Sequence, residues 1–280
     1  MAWTLTDDVG VYRAATGELL RSDPVRNTVL LSVLESLSRL GPTAFGDASP
    51  VLGWWSPDGA PEAAVLRTPP RPMLLTALPG KSAQQLARAL ADRGGDLPGV
   101  NGPEADATAL AAAWRAITGM SSRTHQRQRL YRLGTLVPPA RPPAGAARIA
   151  TGADAALVGS WLSAFTAEIG EPEAAEDIVA DRLDRGHLIL WEVTGEPVSL
   201  AGHTDVIAGV ARIGPVYTPP GLRGRGYAGG VTAAASELAQ ARGAEAVILF
   251  TDMANPTSNS LYRRLGYEAV EDRVVLVFGG

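Results

Sequence analysis

The sequence predicts a two-domain α/β protein, and three observations support that prediction. The chain has 280 residues, which exceeds one average domain and leaves each half enough residues for its own hydrophobic core. A proline-rich segment, VPPARPPAGAA at Val137–Ala147, divides the chain into parts of similar size. Helical and strand periodicities follow the same order on both sides of it. We therefore expect a first domain at residues 1–136, a linker at 137–146 and a second domain at 147–280.

Hydrophobic periodicity gives the second half a complete run of helices and strands. In chain order it predicts a strand at Ala147–Thr151, helices at Ala153–Glu168 and Ala174–Arg185, strands at His187–Val193, Pro197–His203 and Gly209–Tyr217, a helix at Tyr227–Arg242, a strand at Ala246–Thr251, a helix at Pro256–Leu265 and one or two strands at Tyr267–Phe278. Asn255 is a typical N-cap for the last helix, with Pro256 at its first position and Gly266 just past its end.

The first half repeats this order more loosely. The pattern predicts helices at about Thr6–Leu20 and Val25–Leu40, strands at Val51–Trp55, Ala63–Thr68 and Met73–Leu78, helices at Ser82–Arg93 and Glu104–Thr118, and a strand at Thr124–Leu133. A degenerate internal duplication is the hypothesis that follows, although no short repeat is visible.

Composition excludes several classes of function. The absence of cysteine excludes a disulfide scaffold, a thiolate zinc site and a cysteine acyl-enzyme. A net charge of −4 argues against a general nucleic-acid binder. The start, MAWTLTDDVG, is acidic where a signal peptide is basic and then apolar. With no uncharged apolar run of about 18 residues, we expect a soluble cytoplasmic protein with no membrane partner, no nucleic-acid partner and no metal.

The most informative stretch is Gly214–Gly230, GPVYTPPGLRGRGYAGG. A predicted strand ends there, and a loop with Gly221, Gly224 and Gly226 leads directly into a helix. Glycines allow the backbone to turn tightly, while the first N–H groups of a helix and its dipole favour an anion. The pattern is therefore typical of a phosphate-binding turn.

Arg223 and Arg225 in the same loop add charged donors. An ordinary strand–helix connection with capping glycines is the alternative interpretation. The loop is not the dinucleotide fingerprint G-x-G-x-x-G, because Ala228 follows where that pattern continues.

Two signatures give the second half a family resemblance. Arg223–Ala228, RGRGYA, resembles the [Q/R]-x-x-G-x-[G/A] motif of the GCN5-related N-acetyltransferases. Further on, Asn255–Tyr267, NPTSNSLYRRLGY, resembles their second signature, an Asn seven residues before a Tyr and then a Gly–aromatic pair. The resemblance covers about Ala147–Phe278. It implies a mixed, mostly antiparallel twisted sheet flanked by helices, preceded by a degenerate domain of similar topology.

The resemblance also implies an acetyl-CoA site. Val216, Tyr217 and Thr218 would form a splayed strand whose backbone groups pair with the pantetheine arm and polarise the acetyl carbonyl. The pyrophosphate would be held by the loop and the first turn of the helix, at Arg223, Gly224, Arg225, Gly226, Tyr227, Ala228 and Gly229. Asn255 would contact the cofactor while capping its helix. Tyr262 would protonate the leaving thiolate; the alternative for Tyr262 is a half-buried helix aromatic.

The sequence does not identify the general base. Some relatives carry a Glu five residues before the Asn, and here that position is Phe250. Asp252 lies two residues further, hence on the same strand face, and is a candidate base or a turn-forming residue. Glu168 and His203 are the other candidates.

A second phosphate-loop pattern occurs in the first half, at Leu78–Ser82, LPGKS. A Walker loop requires a glycine five residues before Gly80, and that position is Leu75. We therefore expect no nucleotide there, and no coenzyme A in the first domain.

The predicted reaction is direct acetyl transfer from acetyl-CoA to an amine of a small molecule or a peptide, in a monomer or homodimer. The absence of cysteine agrees with direct transfer. A non-catalytic acyl-CoA-binding or regulatory module and a protein N-terminal acetyltransferase are the alternatives. The sequence does not identify the acceptor.

Overall fold

The chain divides into two units in the computed structural model, which describes residues 3–94, 96–170 and 176–279, and for 176–178 the backbone alone. The first unit holds the described residues up to Leu130, the stretch Asp252–Ala254 and the described residues from Val270 onward. The second holds Tyr131–Thr251 and Asn255–Ala269.

One order of elements occurs twice: a strand, two helices, three strands, a helix, a strand, a helix and a strand. The first series is β1 (Trp3–Thr6), α1 (Val9–Ser22), α2 (Thr28–Leu40), β2 (Val51–Trp55), β3 (Ala63–Arg67), β4 (Met73–Leu75), α3 (Ser82–Arg93), β5 (Gly99–Pro103), α4 (Glu104–Thr118) and β6 (Ser121–Leu133). The second is β7 (Ala146–Ile149), α5 (Ala155–Ile169), α6 (Glu176–Asp184), β8 (Leu188–Val193), β9 (Glu196–His203), β10 (Val210–Tyr217), α7 (Tyr227–Ala241), β11 (Ala246–Asp252), α8 (Pro256–Arg264) and β12 (Tyr267–Gly279).

Each unit builds its sheet in the same way. In the first unit the strand order is β1-β2-β3-β4-β5-β12, and every neighbouring pair is antiparallel except β4–β5. In the second it is β7-β8-β9-β10-β11, and only β10–β11 is parallel. A strand–helix–strand crossover produces the parallel pair in each case. The predicted repetition of one topology is therefore present in the structure.

The sheet of the second unit has a core on each face. Ala201, Ala211 and Ile213 pack with α7, whereas Leu200 packs with residues of α5 and α6 on the opposite face. Side chains alternate between faces along a strand. Arg212, between Ala211 and Ile213, therefore lies on the α5–α6 face.

The division into units differs from the expected domain boundaries, 1–136 and 147–280. The second part of β12 pairs with β5, from Arg273↔Pro103 to Val277↔Gly99, which places the C-terminal strand in the first unit. The end of β6 enters the second unit, where Tyr131 is fully buried.

The proline-rich segment lies within the second unit and lacks helix and strand over 137–145, as predicted. It also packs on that unit: the Trp191 indole donates to the Ala144 carbonyl at 2.8 Å. A Cβ on Gly230 of α7 would lie 3.0 Å from the Pro143 ring. The segment therefore does more than separate two domains.

Two strands were missed by the sequence analysis. Trp3–Thr6 is a strand, and the helix predicted from Thr6 begins at Val9, where the Asp8 carboxylate accepts from the Val11 N–H at 3.0 Å. Gly99–Pro103, which is rich in Gly and Pro, gave no strand signal because these residues are rare in strands. A Cβ on Gly102 would lie only 2.8 Å from the Leu75 Cβ, so close packing explains that glycine.

The remaining elements agree with the predicted ones within a few residues. Tyr267–Gly279 is one strand. The start of the helix predicted at Ala174–Arg185 lies outside the described residues. Across the described part of the chain, no helix has the length and apolar character needed to cross a membrane.

Candidate active site

Two neighbouring strands separate at the carboxyl end of β10. The parallel pairing with β11 runs from Val210↔Ala246 to Ile213↔Leu249 and ends there, although both strands continue. On the other side, the pairing of β10 with β9 shifts register between Ile213 and Val216, as at a β-bulge. Among the described residues, Val216 and Tyr217 have no pairing with β11. The β11-facing edge of β10 therefore presents backbone groups to a ligand.

Side chains of the neighbouring strand hold this strand end in place. The Ser199 hydroxyl on β9 donates to the Tyr217 carbonyl at 3.0 Å and lies 2.8 Å from the Thr218 hydroxyl. All three residues are buried. The predicted strand segment, Val216 to Thr218, is therefore fixed from the β9 side and unpaired on the β11 side.

The loop after β10 turns through two glycines in the left-handed region. Gly224 has φ +79° and Gly226, the N-cap of α7, has φ +85°. A Cβ is strained at such angles, so glycine suits both positions. The chain then enters α7 with its first N–H groups facing outward.

Five consecutive N–H groups, from Gly224 to Ala228, have no acceptor among the hydrogen bonds of the described residues. The donors on either side are used: the Arg223 N–H bonds to the Pro220 carbonyl at 3.3 Å, and the Gly229 N–H bonds to the Gly226 carbonyl at 3.0 Å. An uninterrupted row of donors at a helix N-terminus matches the oxygens of a pyrophosphate.

α7 begins in close contact with α8. A Cβ on Gly229 would lie 3.2 Å from the Leu261 side chain, and Tyr227 is buried. Gly229 and Tyr227 are therefore both on the buried side of the helix start.

Arg223 binds groups of the protein itself. Its Nη2 donates to both carboxylate oxygens of Glu168, at 2.6 and 2.8 Å, and its Nε donates to the Thr218 carbonyl at 2.8 Å. The guanidinium also lies 5.9 Å from the centre of the Tyr217 ring. It therefore ties the end of α5 to the end of β10. Arg225 is exposed, with one long contact of 3.4 Å to the Gly221 carbonyl.

Tyr262 lies in α8 and is 7% exposed. Its ring meets the Tyr267 ring edge-on, with the centres 6.0 Å apart. Burial raises the pKa of Tyr262 to about 12, so the phenol stays protonated at neutral pH. Among the described residues no hydrogen bond to its hydroxyl is found, which leaves that proton available to a ligand.

Asn255 caps α8 as predicted: its side chain accepts from the Ser258 N–H at 3.0 Å. Pro256 is the first helical residue, and Gly266 follows the helix with φ +92°. The cap uses the side-chain oxygen of Asn255, and its amide nitrogen is the group that remains for a cofactor.

The base candidates occupy different environments. The Asp252 carboxylate at the end of β11 accepts from the Ala254 N–H at 2.8 Å, the turn-forming contact expected as one alternative. Glu168 is bound by Arg223. The His203 ring bonds the Thr204 carbonyl at 2.8 Å and approaches Arg242 at 3.3 Å. In the β9–β10 pairing, His203 lies opposite Ile213, which is before the point where β10 separates from β11.

The sequence analysis missed two arginines on the α5–α6 face. Arg182 of α6 donates from Nη2 to the Gly214 carbonyl at 2.7 Å, at the first residue after the paired part of β10. Arg212 of β10 has an Nη1 that is buried without a hydrogen-bond partner among the described residues. Its only sequence signal is a charge inside an otherwise apolar strand, Val210–Tyr217.

The corresponding connection of the first unit lacks the row of five consecutive unaccepted N–H groups among its described residues. The loop from Thr76 to Lys81 contains one left-handed glycine, Gly80, with φ +57°. The Thr76 N–H donates to the Ala64 carbonyl at 3.0 Å, and the Ser82 N–H to the Pro79 carbonyl at 3.1 Å. A cavity of about 550 Å³ lies along the outer face of α3, beside Lys81 and Arg88.

Comparison of the sequence with protein families gives a match in the second half of the chain. A model described as "Acetyltransferase (GNAT) family" matches residues 156–267. The match contains β10, the glycine turn, α7 and both signatures that carry the resemblance. The comparison with curated proteins gives no match.

Similar solved structures cover nearly the whole chain. An acetyltransferase of the GNAT family from Colwellia psychrerythraea is 14% identical with a TM-score of 0.59, and 100% of each chain is covered. A GCN5-related N-acetyltransferase from Sphaerobacter thermophilus is 19% identical with a TM-score of 0.61, covering 98% of this chain and 94% of that one. A tandem GNAT protein from the clavulanic acid biosynthesis pathway is 14% identical with a TM-score of 0.56, covering 99% and 98%. At such identities the likeness shows the fold, and it confirms the predicted fold class.

Proposed function

We propose that the part of the chain that matches the acetyltransferase (GNAT) family model, residues 156–267, transfers an acetyl group directly from acetyl-CoA to an amine of a small molecule or peptide. The observation that carries the proposal is the row of five unaccepted N–H groups, Gly224 to Ala228, at the start of α7. It lies directly after the strand end that leaves β11. The N–H row can bind a pyrophosphate, and the adjoining unpaired strand edge can pair with an arm that contains amide groups.

The residues present fit that cofactor. The Gly224–Ala228 N–H groups would bind the pyrophosphate, with Gly229 behind them and exposed Arg225 beside them. The edge of β10 at Val216–Thr218 would pair with the pantetheine arm, and the Asn255 amide would contact it at the start of α8. Arg223 would position the loop, because its guanidinium already bonds Glu168 and Thr218.

Acetyl-CoA supplies an acetyl group activated as a thioester. Backbone N–H groups at the end of β10 would stabilise negative charge on the acetyl oxygen. The Tyr262 hydroxyl would give its proton to the departing sulfur, a role that suits a buried phenol kept protonated by its raised pKa. Asp252 and Glu168 are the proposed candidates for accepting the amine proton. The ion pair of Glu168 with Arg223 favours an anchoring role for Glu168.

A non-catalytic acyl-CoA-binding module is the second candidate function. Phe250, half-buried on β11, stands where some relatives carry the base, and this observation favours it. A protein N-terminal acetyltransferase differs from the main proposal only in its acceptor.

A thiol-release assay separates these functions. The chain is mixed with acetyl-CoA and a panel of small amines and short peptides with a free N-terminus. We expect coenzyme A release that depends on one class of acceptor. Binding of acetyl-CoA with no acceptor-dependent release would favour the binding module, and the absence of acetyl-CoA binding would contradict the proposal altogether.

A further inference from the structure

Two half-buried arginines lie on the α5–α6 face at the point where β10 leaves β11. Arg182 reaches this face from α6, and its Nη2 bonds the Gly214 carbonyl at 2.7 Å. Gly202 on β9 makes room for it, because any Cβ there would collide with the Arg182 guanidinium. Arg212 lies on the same face by strand alternation.

The described part of the chain provides no carboxylate to balance these two charges. Burial, and then the neighbouring Arg212, lower the pKa of Arg182 to about 10. Burial also lowers the pKa of Arg212, and its Nη1 has no hydrogen-bond partner among the described residues. An uncompensated buried charge is unfavourable. Since each arginine charge repels the other and the described residues supply no anion, an anion bound between them would be stabilising.

The first unit shows how a buried arginine is otherwise accommodated. Arg273 is 3% exposed, and it donates to the Leu75 carbonyl at the end of β4. There the guanidinium has an acidic partner, since Nη1 bonds the Glu271 carboxylate at 2.7 Å. The arginine pair of the second unit lacks the equivalent of Glu271 among the residues described.

The surroundings suit the rest of an organic anion. Tyr217, three residues beyond Gly214, packs its ring against Trp161 of α5 with the centres 6.1 Å apart. This aromatic pair lies on the same face as Arg182. Gly214 comes two to three residues before the Val216–Tyr217 edge, within the register shift of β10. An acceptor bound there would have its amine and its anionic group close together, joined by a short carbon chain.

We propose that Arg182 and Arg212 bind the carboxylate of the acceptor, so that the acetylated amine belongs to an amino acid or another amine carrying an anionic group. This inference rests on the proposed function for the amine, whereas the anion site itself stands on the arginine pair. The Trp161–Tyr217 pair would contact the carbon chain, and the amine would point toward the unpaired edge of β10.

The test compares acids with their amides. Glycine, β-alanine and γ-aminobutyrate, each with its carboxamide, are measured as acceptors by thiol release and as ligands by calorimetry in the absence of acetyl-CoA. We expect at least about a tenfold preference for an acid over its amide in both measurements. Arg212→Gln should abolish that preference, whereas Arg185→Gln should keep it. Arg185 is a matched control, because its exposed guanidinium is already paired with Asp181 and Asp205.

A stability measurement distinguishes the loss of anion binding from the loss of folding. Arg212→Met removes a charge whose buried Nη1 has no hydrogen-bond partner among the described residues, so we expect the ligand-free variant to melt at a higher temperature than the wild type. A lower melting temperature would overturn the inference, because it would mean that the charge is already compensated. Equal binding of acids and amides, or no binding of any of the three acids, would also overturn it. Acceptor-dependent release with amides alone would leave the acetyltransferase proposal standing.

Discussion

The β4–α3 connection of the first unit and the β10–α7 connection of the second occupy the same place in one order of elements. In the first, the protein uses its own strand end: the Leu75 carbonyl accepts from Arg273, and the Thr76 N–H donates to Ala64. In the second, five consecutive N–H groups from Gly224 to Ala228 have no acceptor in the described residues. The comparison indicates that a shared topology supplies the junction, while loop residues decide whether it can bind a ligand.

The two loops differ in length as well as in composition. Thr76–Lys81 connects β4 to α3, whereas the longer Thr218–Gly226 connects β10 to α7 and contains two left-handed glycines. The longer loop can bring successive N–H groups to the front of the helix, and the shorter one closes on the Pro79 carbonyl.

The largest expected effect comes from filling the glycine turn of the second unit. Gly226→Val places a branched side chain at φ +85°, where it strains the backbone and covers the N–H donors. We expect acetyl-CoA affinity to fall by at least about a hundredfold, or roughly 3 kcal/mol, as measured by calorimetry.

Gly80→Val is the matched control, because Gly80 also has a positive φ, +57°, and open space around it. It should carry a similar backbone strain and leave acetyl-CoA affinity unchanged. Equal loss of affinity in both variants would mean that backbone strain, and not the loss of the N–H donors at the β10–α7 turn, explains the result.

The next effect concerns Tyr262 and Tyr267, whose rings are in contact in the second unit. Tyr262→Phe should lower turnover by about 10²- to 10⁴-fold, the usual contribution of a general acid, with acetyl-CoA affinity unchanged. Tyr267→Phe removes a hydroxyl already bonded to Ser236 at 2.8 Å, and it should leave turnover intact. An affinity loss without a turnover loss in Tyr262→Phe would contradict the acid role.

A smaller effect is expected at the anchor of the loop. Glu168→Gln removes the charge that holds the Arg223 guanidinium, in a partly exposed pair. Since such pairs contribute little stability, we expect turnover and acetyl-CoA affinity to change by less than about tenfold. A loss of two orders of magnitude in turnover, with the acidic limb of the pH–rate profile gone, would instead identify Glu168 as the base.

The smallest expected effect is a difference between the two units in how much local stability each loses at acidic pH. His187 and His203 of the second unit have lowered pKa values, chiefly because burial disfavours the charged ring. His125 of the first unit is exposed. For a histidine whose pKa is lowered by folding, the stabilisation is complete above the unfolded pKa of about 6.5 and is lost as pH falls below it.

Hydrogen exchange at about pH 7.5 and about pH 5.5 tests this difference. The strands beside His203 should lose protection on acidification, and His203→Gln should reduce that loss. His125→Gln should leave the pH dependence unchanged. Equal acid sensitivity of β2–β4 and β8–β10 would contradict the assignment to the buried histidines.

Most of the second half could be predicted from the sequence because its local signals agree with its tertiary structure. The cap at Asn255, the proline at 256 and the glycine at 266 fix α8 before any packing is known. The glycine turn likewise marks the start of α7. Trp3–Thr6 was missed because four residues carry too little periodicity, and Gly99–Pro103 because Gly and Pro are rare in strands.

Other parts of the site depend on contacts between distant residues. The motif predicts that Arg223 binds phosphate, but in the structure its guanidinium is bound by Glu168, which is 55 residues away in the sequence. The neighbourhood of Arg182 and Gly214 follows from how α6 packs on β10, which no local pattern specifies. The place of Val270 onward in the first unit depends on pairing with β5.

The stoichiometry of acetyl-CoA binding tests the contrast between the two junctions most directly. Isothermal titration of the whole chain should give one site per chain, because, of the two junctions, only β10–α7 presents five consecutive N–H donors without an acceptor among the described residues. Two sites per chain, or one site that persists in Gly226→Val, would contradict the account.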